Sequence, residues 1–276
     1  MKVFVAGATG VLGRATIPLL VAAGHEVRGS ARSPEKADQL RAQGAEPVTV
    51  DLFDPVSVRS AVDGCQGVVH MATSIPVLTK GWKGSAWEMN DRLRREGTRV
   101  IADASRDAGV EVLVKETVCF FYEDGGDRWI DEDWPIEREP FSDASLAAED
   151  ITLAFTGDGR RGVVLRFGLF YSPDARSLEE SLKTAKLGMG PMIGPADGWR
   201  ASIHVDDAAT AVVAALGAPA GAYNVADEPI TNGEWNAAFA DAFGFKKLRA
   251  TPKAAMKVGG KKLNVLGASR RIDSLP

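Results

Sequence analysis

Cysteine is nearly missing from this chain: only Cys65 and Cys119 occur among 276 residues, far apart and each in an apolar stretch. A disulfide framework is therefore excluded, and the two read as reduced, structural thiols of a cytoplasmic protein. Histidine is as scarce. His25, His70 and His204 are scattered with no pair at ligand spacing, so no metal site is expected, and His70, inside an apolar run, reads as a core residue. No stretch of about 18 apolar residues is present to span a bilayer. The formal charge of -4 supplies no field for nucleic acid or an anionic membrane surface. A strand pattern begins at Lys2, so no signal peptide is expected. No internal repeat or low-complexity tract occurs.

What the sequence does hold is alternation. Lys2–Ala6, Glu26–Ser30, Pro47–Val50, Val68–Met71, Val112–Glu116 and Val163–Phe167 read as strands with helical segments between them, the pattern of a parallel sheet covered on both faces. Ser33-Pro34-Glu35 and Asp54-Pro55 each set a capping side chain before a proline at the first helical position. Beyond Arg166 the rhythm breaks. A Gly- and Pro-rich stretch from Gly188 to Gly198 leads to a short strand near Ala201 to His204, then to helices from about Asp206 and from Thr231, where Thr231-Asn232-Gly233-Glu234 has capping-box spacing.

The first turn carries the most chemistry. In Val5-Ala6-Gly7-Ala8-Thr9-Gly10-Val11-Leu12-Gly13, a buried strand runs through glycines three apart into a helix. Gly7 permits the tight turn, Gly10 lets backbone N–H groups approach a pyrophosphate, and Gly13 lets the helix pack on the sheet. The helix N-terminus adds the positive end of its dipole. The expected fold is thus α/β, a doubly wound parallel sheet (Rossmann) with a small C-terminal substrate lobe. Residues 1–166 are expected to form the dinucleotide-binding domain and 167–276 an interleaved lobe that completes the sheet.

The end of the second strand separates NAD from NADP, because an acid there binds the ribose 2′-OH and an arginine a 2′-phosphate. Between Glu26 and Glu35 no carboxylate occurs; Ser30, Arg32 and Ser33 stand there instead, beside Arg28. Arg32 offers a charge-assisted pair and Ser30 or Ser33 a hydroxyl, so NADP is expected, with NAD as the alternative.

Further motifs follow in order: Asp51-Leu52, Val69-His70-Met71-Ala72, Asn90 with Gly97-Thr98, Trp129-Ile130-Asp131-Glu132, Leu165-Arg166-Phe167, Ile203-His204-Val205-Asp206-Asp207 and Tyr223-Asn224-Val225. With the glycine turn they make the chain resemble the extended short-chain dehydrogenase/reductases, in the branch of NAD(P)-dependent epimerases and dehydratases. The resemblance implies that Asp51 and Leu52 meet the adenine and that Ala72 and Thr73 line the ribose and pyrophosphate. With Gly7, Thr9, Gly10, Val11, Leu12, Ser30, Arg32 and Phe167 these complete the expected cofactor contacts.

One departure from that family bears on mechanism. Its members carry Tyr-x-x-x-Lys, four residues apart on one helix face, so that the lysine lowers the tyrosine pKa and the tyrosine exchanges a proton with the substrate. Aligning Leu146-Ala147-Ala148-Glu149 with the family's sequence after that lysine sets Phe141 and Ser145 at the two positions. Neither can do that work. The catalytic residues expected in their place are Thr117, at the family's serine or threonine, with Glu116 and Tyr122 nearby in the loop above the strand ends. Alternatively Glu116 pairs with Lys115 or an arginine, and Tyr122 packs within Phe120-Phe121-Tyr122.

The function implied is an NAD(P)-binding oxidoreductase or epimerase with a non-standard proton relay, acting on a small polar or polyketide-like substrate. A non-redox protein on the same fold, a cyclase or isomerase or an NADP-sensing regulator, is the alternative. The partners expected are a small molecule and, in a possible homodimer, a second copy of the chain. Substrate choice is assigned to the loops Pro76 to Glu88 and Leu187 to Arg200, with Trp82 and Trp87 as aromatic lid or loop anchors.

Overall fold

The computed structural model describes residues 1–76, 84–139, 142–173, 175–191, 193–250 and 268–274. Phe141, Trp82 and the lysine-bearing stretch from Lys253 to Lys262 lie outside them. In chain order the elements begin β1 (Lys2–Ala6), α1 (Val11–Ala22), β2 (Glu26–Ser30), α2 (Pro34–Ala42), β3 (Glu46–Val48), α3 (Pro55–Val62) and β4 (Gly67–His70). Then come α4 (Glu88–Arg92), a π-turn at Leu93–Gly97, α5 (Thr98–Ala108), β5 (Val112–Val118), β6 (Trp129–Ile130), α6 (Asp143–Leu153) and β7 (Arg161–Phe167). The rest are β8 (Leu169–Tyr171), α7 (Arg176–Lys186), β9 (Trp199–Arg200), β10 (Ser202–His204), α8 (Val205–Ala215), β11 (Gly221–Val225), β12 (Ile230–Thr231), α9 (Asn232–Phe243) and β13 (Arg271–Ile272).

Seven strands make one sheet in the order β3-β2-β1-β4-β5-β7-β11, with the neighbours from β3 to β5 paired in parallel. Val3, Phe4, Val5, Ala6, Val68 and Val69 are wholly buried, as the near-continuous apolar runs of a doubly covered parallel sheet require. Strand order reverses between β1 and β4, so the crevice at their carboxyl ends is where such sheets bind ligands. The expected third strand, Pro47–Val50, ends instead at Val48. Asp51 N–H donates to Ser57 Oγ (3.0 Å) and Asp51 Oδ1 accepts from Phe53 N–H (2.9 Å), and these contacts turn the chain toward α3.

By its contacts the chain divides into two units. The first takes Met1–Thr117, Asp143–Arg166 and Val205–Tyr223, the second Val118–Ser142, Phe167–His204 and Asn224–Pro276. One boundary falls at Arg166, where the sequence rhythm changes, but the other crossings carry no compositional mark. The first unit packs α3 and α5 through Val58, Val62 and Ile101 against Phe155. The second has its own core of Cys119, Tyr122, Ile130, Ala201 and Ile272. Its α9 opens on a formed capping box: Glu234 N–H donates to Thr231 Oγ1 (3.2 Å) and Thr231 N–H to Glu234 Oε2 (2.7 Å). No helix among the described residues is long and apolar enough to cross a membrane.

Candidate cofactor site and the buried charges beneath it

The N-terminus of α1 differs from those of α2 and α3 in what meets its free N–H groups. Ser33 accepts from Lys36 N–H at 3.3 Å, and Asp54 accepts from Val56 and Ser57 N–H at 3.2 Å each; both helices have proline next. The residue before α1 is Gly10, which has no side chain to cap with. Its first-turn N–H groups meet no side-chain cap, and an anion would suit them. Gly7 has φ +88, and a Cβ there would lie 2.7 Å from Ala72 N, so the turn presses directly on the chain leaving β4. Gly13 is closer still, since its Cβ would overlap the carbonyl oxygen of Gly7. Gly10 is extended (φ -74, ψ 178), and a Cβ there would meet only Gly7 O, at 3.2 Å. Its missing side chain therefore keeps open the approach to the helix rather than permitting a strained backbone.

Of the expected cofactor residues, Ser30 and Ala72 are set against this turn. Ser30 Oγ accepts from Gly7 N–H at 2.9 Å, tying the end of β2 to the turn and leaving the Ser30 proton to donate elsewhere. Thr9, Val11, Leu52 and Ala72 are half-buried, Asp51 and Thr73 exposed. Leu12 and Phe167 are buried, Phe167 completely, with its ring 5.2 Å from that of Phe170. Arg28 in β2 and Arg32 just beyond it differ in their contacts. Arg28 donates to Ala61 O (2.9 Å) and pairs with Glu46 (3.2 Å). Arg32 is exposed with no ion pair among the described residues. Arg92, unremarked in the sequence, lies 3.8 Å over the Phe53 ring, one residue beyond Leu52.

Beneath the ends of β4 and β5 the first unit buries five charged side chains: Arg94, Lys115, Glu116, Glu149 and Arg166. Glu116 faces Arg94 (3.4 Å) and Lys115 (3.5 Å). The π-turn delivers Arg94 inward. Lys115 Nζ also donates to Glu116 O (2.6 Å) and His70 O (3.3 Å). Glu149 on α6 accepts from the Thr117 hydroxyl (2.8 Å) and from Nε and NH2 of Arg166 (3.1 and 2.8 Å). Thr117 is wholly buried. In the second unit Tyr122, 1% exposed, donates its hydroxyl proton to Asn224 Oδ1 at 2.8 Å. Each of the three residues expected to be catalytic is thus engaged by a buried partner. Charged residues within otherwise apolar strands, Lys115 and Glu116 in β5 and Arg166 in β7, were the visible signal for the network; Arg94 and Glu149 carried none.

His70, fully buried, is held well below the usual histidine pKa by desolvation and then by the Lys115 charge, so it is neutral at pH 7. Desolvation also lowers Lys115 to about 8 from the usual 10.5, against the opposing pull of Glu116. A lowered folded-state pKa means that burial of the charged amine costs stability in full below about pH 8. Between 8 and 10.5 the folded protein has shed the proton while the unfolded chain keeps it, so stability rises with pH. The full amount is about 3 kcal/mol. Urea melts from about pH 7 to about pH 10.5 are expected to show this rise in the native protein and a flatter curve in Lys115→Met; equal slopes would exclude Lys115 as its source. No group of three His, Cys, Asp or Glu side chains among the described residues is placed to hold a metal.

The turn, the uncapped helix and the sheet order have counterparts in known proteins. Residues 3–226 match the model of the NAD dependent epimerase/dehydratase family. A Streptomyces sp. protein named 3-diazoavenalumate denitrifying reductase is 32% identical over 268 residues, covering 92% of this chain and 85% of its own. Human epimerase family protein SDR39U1 (isoform2), solved with NADPH, superposes with a TM-score of 0.81 at 25% identity, over 99% of this chain and 91% of that one. A UDP-glucose 4-epimerase of Thermus thermophilus, solved with NAD, shares the fold at a TM-score of 0.75 and 22% identity, over 100% and 90% of the two chains. A glycine turn on an uncapped helix at the switch point of a 3-2-1-4-5 sheet, matched along most of its length, belongs to one lineage: the chain is a member of the NAD dependent epimerase/dehydratase family.

Proposed function

We propose that this protein is an NADP(H)-dependent reductase of a small substrate bearing an anionic group. The observation that carries the cofactor choice is Arg32, exposed just beyond β2 with no ion pair among the described residues, in a segment without a carboxylate. The dinucleotide fits the residues present: α1 would offer N–H groups to the pyrophosphate, Gly10 leaves the approach open, and Ser30 at the end of β2 with Arg32 just beyond it would receive a 2′-phosphate. Bound there, the cofactor would supply hydride exchange. The NADPH complex of the human relative and the reductase name of the Streptomyces one support the same reading.

The anionic substrate group is read from two desolvated arginines of the second unit. Burial first, and then the charge of Arg270, lower the Arg200 pKa to about 10. Arg200 Nε has no hydrogen-bond partner, and Arg200 forms no ion pair among the described residues. Arg270, 3% exposed, is anchored by donating from Nε to Tyr122 O (2.9 Å). A half-buried guanidinium with an unspent Nε–H, within reach of a second arginine's charge, favours a carboxylate or phosphate beside it. In this reading Glu116, Thr117 and Tyr122 hold the architecture through their buried partners.

The test of the cofactor choice is a fluorescence titration with NADPH and NADH. NADPH is expected to bind tighter, and Arg32→Ala to weaken NADPH by about thirtyfold, roughly 2 kcal/mol, with NADH little changed. Equal affinity of the native protein for both would remove the assignment.

A further inference from the structure

We propose that the second unit carries a binding site for a small N-acylated α-amino acid, recognised through the side chain of Asn236 on α9. The inference does not rest on the reductase reading above.

The site is a cavity of about 730 Å³ lined by α9 and by residues 245–250 after it, a size that suits a small organic ligand. Backbone contacts fix its walls: Phe245 N–H donates to Ala240 O (2.8 Å), Arg249 N–H to Gly188 O (3.0 Å) and Gly190 N–H to Arg249 O (2.9 Å). Asn236 lines the cavity at 3% exposure, yet neither its Oδ1 nor its Nδ2 has a hydrogen-bond partner among the described residues. One turn earlier Asn232, equally buried, donates from Nδ2 to Pro195 O at 2.9 Å, the ordinary fate of a buried amide. The Asn236 amide lies against Gly190, where a Cβ would overlap its Oδ1, Cγ and Nδ2 alike. Lys246, Lys247 and Arg249 also line the cavity, exposed and without an ion pair among the described residues, against one carboxylate, that of Asp241. Ala240, Phe245 and Leu248 supply an apolar wall.

Each feature selects part of a ligand. An amide buried with donor and acceptor both unspent is costly to the free protein, and it is relieved by a group that presents a donor and an acceptor along one edge. An extended α-amino acid does this, because its N–H and its own carboxyl oxygen point to the same side, as in a strand residue. Its N–H would donate to Asn236 Oδ1, and one carboxylate oxygen would accept from Nδ2. The excess of cations favours the carboxylate, and the apolar wall takes the acyl group.

The experiment is calorimetric titration of the full chain with three probes: hippurate, its methyl ester, and 3-benzoylpropionate, which has CH2 where hippurate has N–H. Hippurate is expected to bind with a Kd below about 1 mM. The ester, without the charge, should bind at least about tenfold weaker and the ketone at least about fivefold weaker. Two variants locate the site. Lys246→Gln with Lys247→Gln and Arg249→Gln, all at exposed positions, should weaken hippurate at least about tenfold in a folded protein. Asn236→Leu should lose hippurate binding yet melt no lower than the native protein, since it removes two buried groups that lack partners. Absence of hippurate binding overturns the proposal, as does equal affinity for hippurate and the ketone or undiminished hippurate affinity in either variant.

Discussion

Gly10→Val is expected to abolish NADP(H) binding in a protein that still folds. The Cβ would leave the extended residue before α1 with one tight contact, Gly7 O at 3.2 Å, which a shift of a few tenths of an ångström relieves. The space it enters is the approach to the first-turn N–H groups. Each charge-assisted hydrogen bond lost there is worth about 1.5–3 kcal/mol, and losing two lowers affinity by at least about a hundredfold. Calorimetric titration with NADPH, beside circular dichroism and a thermal melt, checks both halves. Gly13→Ala is the contrast: its Cβ would overlap Gly7 O, so the melt itself should fall, by the equivalent of about 1–3 kcal/mol. Binding retained by Gly10→Val with a native spectrum would mean that the turn does not face the cofactor.

The second large effect is one of stability. Glu149→Ala is expected to cost about 3–5 kcal/mol, because it leaves Arg166 and the Thr117 hydroxyl buried without the carboxylate that both address. Glu149→Leu combined with Arg166→Met, which removes both charges and keeps the volume, should recover most of that loss. Urea unfolding of the two variants reads the difference directly. A single-variant loss below about 1 kcal/mol would show that water reaches Arg166 despite its 8% exposure.

The parts of the molecule that were legible in advance are those whose causes lie within one segment. Gly7, Gly10 and Gly13 span a single turn, and each requirement, a positive φ, an open approach, a close contact, is met inside that turn or against the next strand. Ser33-Pro34 and Asp54-Pro55 cap their helices through N–H groups two or three residues away. The capping box at Thr231 and Glu234 is equally local. Even β3, expected to run two residues too far, was cut short by a nearby competitor, the Asp51 turn.

The sequence by itself therefore determined the sheet-and-helix alternation, the phosphate turn and the absence of an acid beside Arg32, since strand periodicity, caps and backbone conformation are properties of neighbouring residues. Tertiary structure alone decided what Glu116, Thr117 and Tyr122 do. Their partners Arg94, Glu149 and Asn224 stand 22, 32 and 102 residues away along the chain. A buried polar group must find its counterpart wherever the fold brings one, because in a low-dielectric interior an unpaired charge or hydroxyl costs more than almost any contact returns. No spacing along the chain encodes that choice.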